Sequence, residues 1–190
     1  MLLIWLVTFL FAVIHSLLAT QRCKQWLGRR GLVEPRYRLG YTILSLFLTL
    51  IWLAWIHALP DQLLYRADGL LFYMLIALQI AGVIVALAAL RPIDTMAFLG
   101  FKSAGEQVDP FVISGIYRYL RHPMYSGVML ILFASPWQSM NSLNMALAVA
   151  LYFLIGSRLE ERRMLDQHPA YAAYKQQVGA FLPRICPRPD

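Results

Sequence analysis

Three stretches of the chain, Leu2–Thr20, Leu39–Leu59 and Gly69–Leu90, contain no Lys, Arg, Asp or Glu. A helix rises 1.5 Å per residue, so about 20 apolar residues cross the ~30 Å hydrocarbon core of a bilayer. Each stretch has that length. The rest of the composition agrees: 14% of the 190 residues are charged, against about 25% in soluble domains. Lipid is therefore the solvent for most of this chain. The N-terminal stretch has no basic residue before it, unlike a cleavable signal. It reads as a retained first membrane helix.

A fourth apolar stretch, Met124–Ser157, is 34 residues long and is interrupted by Ser135-Pro-Trp-Gln-Ser-Met-Asn-Ser142. Two arms of about 15 residues would each rise only ~23 Å. The spacing predicts a short helical hairpin with its tip at Pro136–Ser142. The second arm should continue past Arg158 as a helix leaving the membrane. The fold class is thus all-α, an integral membrane bundle of about five transmembrane helices, with a helical C-terminal tail. It forms one membrane domain. Residues 1–91 supply a three-helix N-terminal part, and residues 92–190 hold most of the polar chemistry.

Sixteen of the seventeen Lys and Arg residues fall between the first two spans, between the third and fourth, or after the fifth; Arg66 is the exception. The positive-inside rule puts those segments in the cytoplasm and the N-terminus outside, as in a bacterial inner membrane. The net charge of +7 then reports topology and contact with anionic membrane lipids, not nucleic acid. Trp52, Trp55, Tyr65 and Trp137 fall near the opposite interface, as belt aromatics. Cys23 and Cys186 form no disulfide framework and no zinc pattern. Both lie on the cytoplasmic side, where reduced thiols are expected. No metal site is expected.

Polar residues concentrate in two blocks. In the first, Ser114–Gly127, Pro123 suits the first turn of a helix. Arg121 and His122 then stand at the N-terminal mouth of a membrane helix, where free N–H groups and the helix dipole favour an anion. Tyr125 and Gly127 follow one turn on. An interfacial Arg-His pair facing lipid headgroups is the plainer alternative. In the second block, Glu160 and Glu161 point about 100° apart. One can face the protein while the other pairs with neighbouring Arg. Tyr171 and Tyr174 share a helix face, as a stacking pair or as interfacial anchors.

The ordered set Gly115-x-Tyr117-Arg118-x-x-Arg121-His122-Pro123-x-Tyr125-x-Gly127, a hydrophobic hairpin, Glu160-Glu161-x-x-x-Leu165, Tyr171-x-x-Tyr174 and Pro183 resembles one superfamily. This is the integral-membrane methyltransferases, which include isoprenylcysteine carboxyl methyltransferase, phospholipid N-methyltransferases and methanethiol S-methyltransferases. His15-Ser-Leu-Leu-Ala19 looks like the first helix of the methanethiol and nitric-oxide-associated branches. The resemblance implies S-adenosylmethionine as methyl donor, S-adenosylhomocysteine as product, and a small-molecule or lipid-like thiol or carboxylate as acceptor. It implies a donor site made by Tyr117, His122, Pro123, Tyr125, Gly127, Glu160, Glu161, Tyr171 and Tyr174. Arg121 would balance a carboxylate or activate the acceptor, and Glu161 would bind donor or orient substrate. His168-Pro169 stands where the family usually has Phe-Gly, and the Ala-Phe-Leu-Pro-Arg-Ile185 close is loose.

Inside the first span, His15 is an intramembrane ionisable residue and hence a candidate substrate-side catalytic group. The alternative is a neutral histidine bonded to a backbone carbonyl or to Ser16. Gln79 fits interhelical bonding. A haem-binding protein and a non-enzymatic membrane protein of related fold are the competing functions. Nothing in the sequence specifies an oligomer.

Overall fold

The computed structural model describes residues 1–33, 35–102 and 111–184. Cys186 and Ile185 lie outside the described residues. Four helices are long and apolar enough to cross a membrane: α1 (Leu2–Ala19), α3 (Arg36–Ala58), α4 (Gly69–Leu90) and α7 (Met140–Gln167). A fifth apolar helix, α6 (Pro123–Phe133), is shorter. Three small helices sit beside their ends: α2 (Gln21–Gly28), α5 (Thr95–Leu99) and α8 (Tyr171–Gln177), with a 3-10 turn at Gly115–Arg118. The protein is an all-α integral membrane bundle. Most large apolar side chains of α1, α3 and α4 face outward, as lipid-facing helices require.

The hairpin arms are unequal. The 11 residues of α6 rise only about 16 Å. The 28-residue α7 rises about 42 Å. The two meet where His122, at the mouth of α6, and Tyr125 reach Glu161 and Glu160 of α7; between the helices, residues 137–139 run extended. Extended backbone in a membrane protein needs partners for its polar groups. They come from β1 (Leu63–Arg66), which pairs antiparallel with β2 (Trp137–Ser139). Ala67 N–H donates to Pro136 O (2.8 Å) and Met140 N–H to Gln62 O (2.8 Å). The Tyr65 hydroxyl donates to Ser135 O (2.8 Å).

Helix α7 starts on a capping box between Ser139 and Ser142, and its Asn141 N–H donates to Asp61 Oδ1 (2.9 Å). Such caps satisfy donors that no helix can satisfy internally. Its apolar part ends at Ser157. From Arg158 to Gln167 the helix carries the charge that its apolar part lacks.

Packing fixes the relative heights. Between α4 and α6 the backbones touch: a Cβ on Gly127 would lie 2.5 Å from Gly82 O, and one on Gly82 would lie 2.7 Å from Gly127 O. Only glycine allows that approach. Gln79 Nε2 donates to Ile131 O (3.0 Å) across the same contact. On the other side, α1 packs on α3 and α7 around Ile4, Trp52, Ile56 and Met145. Trp52 was expected at a lipid interface. It is instead buried, and its indole N–H donates to Thr8 Oγ1 (3.1 Å). The Thr8 hydroxyl gives an indole a partner inside the bundle, which hydropathy alone does not reveal.

Candidate functional site

The sequence around the mouth of α6 dictates an abrupt turn. Pro123 opens the helix and has no N–H to offer. The residue before it, His122, is pushed out of helical geometry (φ −124°, ψ 60°). The two preceding N–H groups bond elsewhere: Arg121 N–H donates to Gly179 O (2.9 Å) and His122 N–H to Ala180 O (3.0 Å). Leu120 and Gly179 form a short parallel bridge. Ser126 Oγ completes the join by donating to Phe181 O (2.9 Å). The tail after α8 is therefore held against the mouth of α6 mainly by backbone.

That join brings three cationic or ionisable donors onto one carboxylate. Glu161 Oε1 accepts from Arg121 Nε (2.7 Å) and lies 3.1 Å from His122 Nε2. Glu161 Oε2 lies 2.9 Å from Lys175 Nζ. The Arg121 and Glu161 side chains are 8% and 9% exposed, so this is a buried ion pair, with Lys175 at its open edge. Arg121 Nη1 also donates to the carbonyls of Lys175 (3.1 Å) and Val178. Burial opposes ionisation of Glu161, but hydrogen bonds from Arg121, Lys175 and His122 outweigh it and hold the carboxyl down to about 2. Glu160 occupies the rim, its side chain 42% exposed. One of its oxygens accepts from the Tyr125 hydroxyl (3.4 Å) and sits 3.7 Å from His122 Nδ1.

Aromatic rings wall the cluster. His122 stacks between Tyr125 (5.5 Å, 7° between planes) and Phe181 (5.5 Å). Tyr125 in turn stacks on Phe153 (4.4 Å). Nearby, Phe111 contacts His168, Tyr171 and Tyr174 at 5.4 to 5.6 Å. Tyr171 and Tyr174 share one face of α8, 5.6 Å apart. The Tyr174 hydroxyl donates to Tyr117 O (2.7 Å), and the Tyr117 hydroxyl to Ala89 O (3.4 Å). Burial and the Glu161 charge push the Tyr171 phenol up to about 12, so it stays neutral at any physiological pH.

Of the residues singled out by sequence, Tyr117, Arg121, His122, Pro123, Tyr125, Glu160, Glu161, Tyr171 and Tyr174 converge here. Two do not. Gly127 faces α4, and the backbone contact with Gly82 accounts for a glycine there without a pocket. His15 lies on α1, where its Nε2 is 2.9 Å from the Tyr41 hydroxyl. Neither a backbone carbonyl nor Ser16 is that partner; Ser16 bonds the Tyr152 hydroxyl instead (3.1 Å). Among the described residues, His15 is tied to the cluster through the rings of Tyr152, Phe153 and Tyr125. Lys175, Phe111 and Phe181 join the site without having been singled out. Lys175 was legible, since it stands four residues after Tyr171 and so shares its helix face. Phe111 was not, because it approaches from outside both motif blocks.

Comparison with known proteins adds a family. The model for NnrU protein matches residues 3–134. The chain belongs to the NnrU family. The match runs from α1 through α6 and includes Arg121–Gly127. Curated relatives extend over the remainder. Methanethiol S-methyltransferase 1 of Bradyrhizobium diazoefficiens is 30% identical over 183 residues, covering 92% of this chain and 64% of the relative. Methanethiol S-methyltransferase of Pseudomonas deceptionensis is 30% identical over 185 residues, covering 93% and 70%. That of Mycobacterium tuberculosis is 27% identical, covering 91% and 74%. The chain thus spans about two thirds to three quarters of these relatives' length, and it falls within the membrane methyltransferase-like superfamily. No solved structure matches it.

Proposed function

We propose that this NnrU-family protein is an S-adenosylmethionine-dependent methyltransferase acting on a small thiol, with the donor held at the Arg121–His122–Glu161 cluster. The observation that carries the reading is the buried meeting of three cationic or ionisable donors on one carboxylate, beside an aromatic nest, in a chain related to thiol methyltransferases. The donor carries a carboxylate, an ammonium, a ribose diol and an adenine. The residues present match that list in kind. Arg121, His122 and Lys175 suit the carboxylate. Glu160 and Glu161 suit the ammonium and the diol. Phe111, Tyr171 and Tyr174 suit the flat base. Tyr117 and Pro123 shape the wall.

When bound, the donor would supply a methyl group already activated on a sulfonium; the acceptor would react as its thiolate, its proton already given to solvent, and the donor sulfur would leave as the neutral thioether of S-adenosylhomocysteine. What the chain adds is alignment and exclusion of water. Tyr125 and Phe153 face the bilayer side of the cluster and offer an apolar approach for an uncharged or thiolate acceptor. The basic segments face the cytoplasm on this reading, so donor and acceptor enter from different phases.

Calorimetric titration of S-adenosylmethionine and S-adenosylhomocysteine into detergent-purified protein tests this, followed by methyl transfer to a panel of thiols. Micromolar binding is expected, with loss in His122→Ala and Glu161→Ala. Folded protein that binds neither compound at millimolar concentration removes the reading.

A further inference from the structure

A second site lies on the N-terminal half. A cavity of about 330 Å³ is enclosed by α1, α2, α3 and α5, and it shares no lining residue with the Arg121–Glu161 cluster. Lys24 and Arg38, both half-buried, line its mouth at the basic ends of the helices. Ala19, Phe98 and Leu99 form apolar walls. His15, Tyr41 and Ser45 line the inner end. Arg38 and Ser45 are seven residues apart on α3, so the cavity reaches about 10 Å inward. Ser45 Oγ is buried there beside the Tyr41 hydroxyl.

Size and charge restrict the occupant. At about 30 Å³ per water, the volume holds roughly eleven waters. A two-heavy-atom thiol leaves most of it empty. The methyl donor is a poor match as well, because its sulfonium and ammonium would meet the Lys24 ammonium. An anion with an apolar body fits both constraints. Its head would take a charge-assisted bond at Lys24, and its body would lie along Phe98 and Leu99.

We infer that this cavity is a binding site for an amphiphilic anion, a phosphate- or carboxylate-headed molecule with a short apolar segment. A lipid of the adjacent leaflet and a free amphiphile share that chemistry. The full chain in detergent is titrated with dioctanoyl phosphatidylglycerol, dioctanoyl phosphatidylcholine and octyl phosphate, with binding read by native mass spectrometry and calorimetry. Phosphatidylglycerol or octyl phosphate binds with one-to-one stoichiometry, and phosphatidylcholine at least about tenfold more weakly, as expected when its choline ammonium is repelled by Lys24. Lys24→Gln weakens binding by a similar factor, and Thr42→Phe, which fills the cavity, abolishes it. Arg29→Gln, exposed on the same segment and outside the cavity, leaves it unchanged. The tighter of the two anions identifies a lipid or a soluble source. Equal weakening by Lys24→Gln and Arg29→Gln means diffuse surface attraction and overturns the site. So does binding of phosphatidylcholine as tight as that of the anions, or no binding of either anion to folded protein.

Discussion

The Arg121–Glu161 pair invites a double-mutant cycle. Arg121 Nε and Glu161 Oε1 are 2.7 Å apart, with both side chains under a tenth exposed. With charge centres about 4 Å apart and an effective dielectric near 20, the attraction is about 4 kcal/mol. Desolvation of both ions takes back much of it, so the pair in isolation is no strong stabiliser. Removing one member is another matter, because the other remains buried without its closest countercharge. Glu161→Gln leaves Arg121 facing a neutral amide. Arg121→Gln leaves Glu161 with Lys175, whose side chain is 41% exposed and partly solvated. Each single change should cost about 3 kcal/mol of unfolding free energy. The double variant should cost little more than either single, giving a coupling of about 2–3 kcal/mol. Unfolding is followed by helical circular dichroism against SDS mole fraction in mixed micelles. Additive losses, with the double variant near ~6 kcal/mol, would refute the buried-pair reasoning and mean that water reaches both groups.

Other consequences are open to measurement. The folded state favours ionised Glu161, so its contribution is complete above about pH 4.5 and is lost as the pH falls toward 2; SDS-unfolding midpoints should drop across that window in the parent but not in Glu161→Gln. Gly127→Ala drives a Cβ into the α4 backbone and should cost about 1–3 kcal/mol, with Gly127→Leu worse; unchanged thermal melting of either would contradict the close approach. Asp61→Ala removes the acceptor of the Asn141 and Gln62 N–H groups and should cost about 1 kcal/mol, read as faster hydrogen exchange at the start of α7. Tyr174→Phe leaves Tyr117 O without its donor and should cost about 1 kcal/mol, with the largest amide shifts in α8 and the 3-10 turn.

The membrane architecture was legible because hydropathy responds to one thing, the absence of water. Helix bounds for α1 and α4 followed from charge-free length alone. The hairpin was harder. A break at Pro136–Ser142 is visible, but strand pairing with Leu63–Arg66 is not, since the partner lies some 70 residues away and neither strand alternates clearly. Helix spacing alone left the choice between Glu160 and Glu161 open, and only the family resemblance favoured Glu161. Adjacent positions on a helix cannot be ranked until the neighbouring element is known, and here that element is Arg121. Gly127 shows how packing can account for a motif residue. A glycine inside a motif block invites a ligand, yet its contact is another helix. His15 stood out because it is ionisable in lipid. What surrounds it, Tyr41 from α3 and Tyr152 from α7, depends on packing that no local pattern encodes.

The bond between tail and helix mouth runs mainly through peptide groups, Arg121 and His122 to Gly179 and Ala180. Peptide groups are the same in every residue, so drift in the side chains there leaves the docking intact. Position 179 is the exception, because a Cβ would sit 1.9 Å from Leu182 O. Length is the quantity that cannot drift. One residue inserted between Gln177 and Phe181 would slip the bridge and carry the carbonyls of Lys175 and Val178 away from Arg121. In this stretch, related chains should therefore vary freely in composition and hardly at all in spacing.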